Sequence, residues 1–210
     1  LRAKDSNLKL GLIGNSTLVA KYFRESKFVN GAEVIAVSSS STSAQIKADN
    51  SLLLTNSYTD LLSSIDAVYI ASHPTKHYNH VKQALLAGKH VLCESPIALS
   101  EAECNELYQL ANSKNLILMD AIKTAYSTAY NRLLLLLNSG KIGQVLSVES
   151  TCTSLKNIKI DTTKKATHYW NSICAWGPTA MLPIFHILGT HWIDINLSLI
   201  HISEPTRLDV

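Results

Sequence analysis

Glu94, Ser95 and Pro96 follow a short apolar run, Val91-Leu92-Cys93, itself preceded by Gly88-Lys89-His90. That order reads as a helix end, a buried strand and a polar tip held by a proline. In a parallel α/β sheet such a tip faces the crevice outside the carboxyl ends of the strands, where ligands bind. Ser95 is the residue there that looks wrong for catalysis, because a serine hydroxyl is a poor general base without a partner.

A second candidate lies at the first turn, Gly11-Leu12-Ile13-Gly14-Asn15-Ser16-Thr17-Leu18-Val19. It occupies the place of a dinucleotide fingerprint, whose glycines allow a tight turn, close approach to pyrophosphate and close helix packing. Only Gly14 is in register; Ser16 and Val19 replace the other small residues. Ser16 can still offer its N–H and hydroxyl to a phosphate at a helix N-terminus. An ordinary βα turn is the competing reading. The next strand ends in Ser38, Ser39 and Ser40, with no acid to select NAD and no arginine to select NADP. These serines either bond a ribose or form a solvated loop, and the choice of cofactor stays open.

Four histidines, His73, His77, His80 and His90, invite a metal reading. Pro74 argues against a shared helical face for His73 and His77, and no carboxylate is placed to complete a site. No metal is expected. His77 reads instead as a hydrogen-bonding group beneath the crevice, and His90 as a residue packing at a strand edge.

The elements that must hold these residues alternate. Leu8–Ile13, Glu33–Val37, Asp66–Ala71, Val91–Cys93 and Leu116–Met119 read as strands, with helical spacing at Thr17–Ser26 and His77–Ala87, the latter closed by Gly88. Ser100 with Glu103 forms a capping-box start for another helix. Such alternation predicts βαβ units and a doubly wound parallel sheet. Beyond about residue 120 the texture changes: Tyr126–Asn138 reads as one helix, and Val145–Thr153 alternates as an antiparallel strand does.

The chain has 210 residues, 46% apolar and 17% charged, a globular composition. A net charge of +3, evenly spread, gives no argument for nucleic acid or an anionic membrane. No apolar run approaches the roughly 20 residues of a membrane span. Cys93, Cys104, Cys152 and Cys174 show no metal-ligand spacing, so a reduced cytoplasmic protein is expected.

Several blocks together resemble the glucose–fructose oxidoreductase/inositol dehydrogenase (Gfo/Idh/MocA) family. They are Asp66-Ala67-Val68-Tyr69-Ile70-Ala71, His77, Ala84-Leu85-Leu86-Ala87-Gly88-Lys89-His90-Val91-Leu92-Cys93-Glu94, Pro96, and Gly140-Lys141-Ile142-Gly143-Gln144-Val145. The resemblance covers residues 8 to about 195. It implies an N-terminal Rossmann domain for NAD or NADP, then a C-terminal α/β domain whose open, partly antiparallel sheet covers the nicotinamide and often mediates homo-oligomers. The matching positions make Gly14, Asn15, Ser16, Thr17, Leu18, Ser38, Ser39, Ser40, Ala71, Ser72, His73, His77, Glu94 and Ser95 the expected cofactor contacts. Glu94 would approach the nicotinamide ribose, and Pro96 would follow a cis bond.

Three departures stand out, the first being the incomplete glycine turn described above. The family's proton-handling lysine is Ser95 here. Its Asp/His pair should fall within Gly177–Ile187, where Pro183 stands near the Asp position and His186 is one residue out of register. Lys123 and His186 are the candidate catalytic replacements. Trp170 and Trp176 either stack on a sugar-like ligand or serve as core or interface aromatics.

The expected organisation is a Rossmann NAD(P)-binding domain over 1–122, a truncated α/β substrate and oligomerisation domain over 123–196, and a tail over 197–210. That tail resembles a translated adapter, against the alternative of a natural polar terminus. The expected function is an NAD(P)-dependent oxidoreductase acting on a sugar, polyol or related small hydroxyl compound, with altered catalytic groups. The rival is a non-catalytic dinucleotide-binding or regulatory module on the same fold.

Overall fold

Continuous apolar runs bounded by turns become the strands of a parallel sheet. The computed structural model describes residues 7–14, 16–38, 46, 49–152 and 172–196. Its strands are β1 (Leu8–Gly14), β2 (Ala32–Ser38), β3 (Leu53–Leu54), β4 (Ala67–Ala71), β5 (His90–Cys93) and β6 (Leu118–Asp120), in the spatial order β3-β2-β1-β4-β5-β6. Every pairing is parallel. That is the order of a dinucleotide-binding Rossmann sheet, as expected.

All five residues of β4 are buried, which explains its unbroken apolar run: it is central and covered on both faces. Val68 and Ile70 join one core, with Leu61 and Leu62 of α2 (Tyr58–Ser64), Val81 and Leu85 of α3 (His77–Leu86), and Leu107 of α4 (Glu101–Ser113). Tyr69 and Ala71 face the opposite core, with Leu12 of β1 and Val19 and Phe23 of α1 (Ser16–Ser26). Connections leaving β1 and β4 therefore go to opposite faces, and a crevice opens where they part.

Two glycines make the packing possible. A Cβ on Gly11 would lie 2.8 Å from the tips of both Ile65 and Leu61. On Gly14, whose φ is +126°, it would lie 2.2 Å from the Ala71 carbonyl carbon and the Ser72 nitrogen. Side chains cap two helices: Ser57 Oγ accepts from the Asp60 N–H at 3.2 Å, and, as expected, Ser100 Oγ accepts from the Glu103 N–H at 3.3 Å.

Beyond the sheet a single-turn 3₁₀ helix (Lys123–Tyr126) leads into α5 (Thr128–Asn138), and α6 runs over Ser172–Leu188. The helix expected over Tyr126–Asn138 thus starts later, because Ser127 is extended, with φ −70° and ψ 128°. The strand expected at Val145–Thr153 is corrected over its described part: residues 145–152 pair with no strand. Alternation stabilises a strand only when a neighbour shares its hydrogen bonds, and none lies beside it among the described residues. Thr153, Asn15, Ser39, Ser40, Cys174, Trp170 and the tail fall outside what is described, at least in their side chains.

Candidate functional site

Strand register puts the polar tips on one rim. Gly14 pairs with Ala71, Ile70 with Cys93, and Cys93 with Asp120. The carboxyl ends of β1, β4, β5 and β6 therefore align, and Ser72, Glu94, Ser95 and Asp120 all leave the sheet there. Ser38, buried, ends β2 on the same side. Thr17 and Leu18 lie in the first turn of α1 beside Gly14.

Glu94 is anchored from below. Its N–H donates to Ile70 O at 2.9 Å. The Tyr69 hydroxyl donates to its Oε1, and the Tyr22 hydroxyl donates to the same oxygen at 3.4 Å. The two tyrosine rings stack with centroids 3.9 Å apart. Burial pushes the Tyr69 phenol well above its usual range, and the bond to Glu94 adds to this, so Tyr69 stays a donor. Burial raises the Tyr22 phenol as well. These two tyrosines escaped the reading from sequence, where they pass for core aromatics.

His77 is only 1% exposed and braces two loops. Its Nδ1 lies 2.8 Å from Pro96 O and its Nε2 2.9 Å from Ser72 O. This ties the tip after β4 to the tip after β5, where the Ser95–Pro96 peptide is cis, as the resemblance implies. Ser72 Oγ also meets His80 Nδ1 at 2.9 Å, and burial lowers the His80 pKa. His73 caps the turn Pro74–Lys76, accepting from the Thr75 N–H at 3.4 Å. His90 does more than pack at an edge: its Nδ1 accepts from the Ile117 N–H at 3.0 Å. Among the described residues no group of three or more His, Cys, Asp or Glu could hold a metal.

Asp120 was not singled out from the sequence, where it reads as a strand end. Its Oδ1 and the Ser95 Oγ are both buried without a hydrogen-bond partner among the described residues. Burial pushes the Asp120 carboxyl up to about 6, with Glu94 adding to the rise and Ser95 and the Ile122 N–H opposing it. The Ser95 hydroxyl is thus near enough to favour the anion while falling short of full hydrogen-bond geometry.

Lys123 and His186 are the two expected catalytic replacements. Lys123 is exposed, and His186 on α6 meets the Tyr130 hydroxyl of α5 through Nδ1 at 3.1 Å. Neither bonds Ser95 or Asp120. Beside Pro96 opens a cavity of about 470 Å³, with an apolar lining that includes Leu99, Ile122, Met181, Leu182 and Phe185. Trp176 is 47% exposed and does not line it.

Known proteins resemble this chain in sequence and fold. An uncharacterised oxidoreductase of Synechocystis is 31% identical over 163 residues, 75% of this chain and 41% of the relative. D-xylose 1-dehydrogenase (NADP(+)) of Hypocrea jecorina is 33% identical over 122 residues, 54% of this chain and 31% of the relative. The structure of scyllo-inositol dehydrogenase from Lactobacillus casei with bound NAD(H) and scyllo-inositol superposes with a TM-score of 0.59 at 25% identity, over 66% of this chain and 43% of that one. The matches cover about a quarter to a half of the length of these and other curated relatives. Residues 8–121 match the family described as oxidoreductases with an NAD-binding Rossmann fold, and with its strand order and rim in place the chain belongs to that Gfo/Idh/MocA family.

Proposed function

We propose that this protein binds NAD or NADP and oxidises or reduces a sugar, polyol or related small hydroxyl compound. One observation carries the reading: the tips after β1, β4, β5 and β6 meet on one rim at the point where the sheet's connections diverge. The residues fit the cofactor. Gly14 leaves the first turn without a Cβ, and Ser95 Oγ, at the tip after β5, is buried without a hydrogen-bond partner among the described residues. Gly14, Asn15, Ser16, Thr17 and Leu18 would hold the pyrophosphate, and Ser38, Ser39 and Ser40 the adenosine ribose. Ala71, Ser72, His73 and His77 would line the crevice wall, with Glu94 and Ser95 at the nicotinamide end. When bound, the dinucleotide supplies a two-electron hydride acceptor or donor.

Residues 1–122 form the cofactor domain in this reading, 123–196 the substrate and oligomerisation domain, with 197–210 set apart. The cis Ser95–Pro96 tip, braced by His77, orients Glu94 and Ser95 at the crevice. Ser95 in place of a lysine supports a second reading, a dinucleotide-binding module without turnover. Titration with NAD and NADP, followed by protein fluorescence, and then nicotinamide absorbance with a sugar and polyol panel, separates the two. Binding with cofactor reduction supports the enzyme. Binding alone supports the module, and no binding refutes both.

A further inference from the structure

Losing the lysine leaves a question about where a substrate's proton goes. Two buried polar atoms on the rim, Ser95 Oγ and Asp120 Oδ1, lack hydrogen-bond partners among the described residues, and they stand at adjoining strand ends. A native interior seldom leaves two such neighbours unsatisfied without a use for them. A hydroxyl both donates and accepts, and a carboxylate accepts while its protonated form donates, so the pair can pass a proton to the carboxylate and return it.

We infer that Ser95 and Asp120 form the proton-handling pair of this site, with Asp120 as the terminal acceptor and Ser95 as the relay between it and the substrate hydroxyl. The inference rests on the dinucleotide reading above and deepens it. In the oxidation direction the substrate O–H proton moves to Ser95 Oγ as the Ser95 proton moves to the Asp120 carboxylate. The adjoining C–H hydrogen leaves with its electron pair to the oxidised nicotinamide, and the C–O bond becomes C=O. Ser95 ends unchanged, Asp120 ends neutral, and the reverse sequence serves reduction.

The surroundings suit the task. Groups that interact with Asp120 are Cys93 and Glu94 at the end of β5, Cys104 and Tyr108 on α4, and Tyr126, which also donates to the Asp120 carbonyl at 2.7 Å. All are acids. Burial, with Glu94 adding to it, holds the carboxyl near the pH at which a group can both take and return a proton. Lys123, the nearest basic residue along the chain, is exposed.

The test uses the full chain, wild type and Asp120→Asn and Ser95→Ala variants. The Asp120 carboxyl is titrated by ¹³C NMR, dinucleotide affinity is measured by fluorescence, and kcat/KM is followed from pH 5 to 8. We expect the carboxyl to titrate near pH 6, and wild-type kcat/KM for oxidation to fall about tenfold per pH unit below that point. Asp120→Asn should lower kcat by about 10²–10⁴-fold, the usual range for a lost acid–base group, remove the inflection and leave the dinucleotide Kd within threefold. Ser95→Ala should lower kcat with the inflection retained. A carboxyl titrating near pH 4 overturns the inference whatever the activity. Retained kcat in Asp120→Asn overturns it while the oxidoreductase reading stands. A wild type that binds dinucleotide and turns over nothing also overturns it, leaving the binding module. No dinucleotide binding overturns both.

Discussion

Substituting Gly14 with alanine tests whether the first turn is built as described. The added Cβ would sit 2.2 Å from the Ala71 carbonyl carbon and the Ser72 nitrogen, against about 3.5–4.0 Å for a comfortable contact between carbons. More than 1 Å of retreat is therefore required, and both obstacles are backbone. The ladder pairs Gly14 with Ala71 in a sheet buried on both faces, so neither strand retreats without losing hydrogen bonds. Overpacking of this kind costs about 1–3 kcal/mol. Holding a side chain at φ +126° costs about 1–3 kcal/mol more. A combined loss of about 2–6 kcal/mol is a large part of the roughly 5–15 kcal/mol that keeps a domain folded. Gly31→Ala is the control: φ is +84° there and nothing lies within 4 Å, so only the backbone cost applies. Urea unfolding followed by circular dichroism should show Gly14→Ala well below Gly31→Ala. Equal losses, or a Gly14→Ala loss under about 1 kcal/mol, would refute the close approach of β1 and β4.

Asp120→Asn should also change stability with pH. The folded carboxyl is raised from 3.8 to about 6, so the folded state holds this proton more tightly and wild-type stability declines as pH rises between those values. Full linkage amounts to about 3 kcal/mol, and solvent screening at a partly exposed group reduces it to about 1–2 kcal/mol. The variant should gain that much over wild type in urea unfolding at pH 8 and only about a fifth of it at pH 4; a loss at pH 8 would contradict the burial. His77→Leu should cost about 2–5 kcal/mol, since Ser72 O and Pro96 O both lose the ring, and should weaken dinucleotide binding through the loops they belong to. A melting temperature within a degree of wild type would argue against that brace. Cys93, fully buried with its thiol pushed up by burial, should resist iodoacetamide at pH 8 until denaturant is added, as peptide mass spectrometry would show.

What could be read from the residues followed how local each signal is. Asp66–Ala71 was legible as a strand because a central strand is apolar on both sides, and Gly88 marked a helix end that the structure keeps. Leu53–Leu54 was not legible: two exposed residues carry no periodicity, and only pairing with β2 makes them a strand. The site divided the same way. Glu94, Ser95 and His77 stand at punctuated positions that a chain pattern reveals. Tyr22 and Tyr69 do not, because their hydroxyls meet a carboxylate 72 and 25 residues away, a distance only the fold closes. Asp120 stayed hidden for that reason too: the sequence shows an acid after an apolar run, and only the register of β6 against β5 puts it beside Ser95.

The brevity of the two outermost strands has a consequence for handling the protein. β3 offers two residues and β6 three, too little backbone to recruit a strand from another molecule. Self-association, where it occurs, should begin instead at uncovered leucines such as Leu135, 69% exposed, and Leu146, 90% exposed. Polar replacements there should improve solubility at high concentration while leaving the sheet untouched.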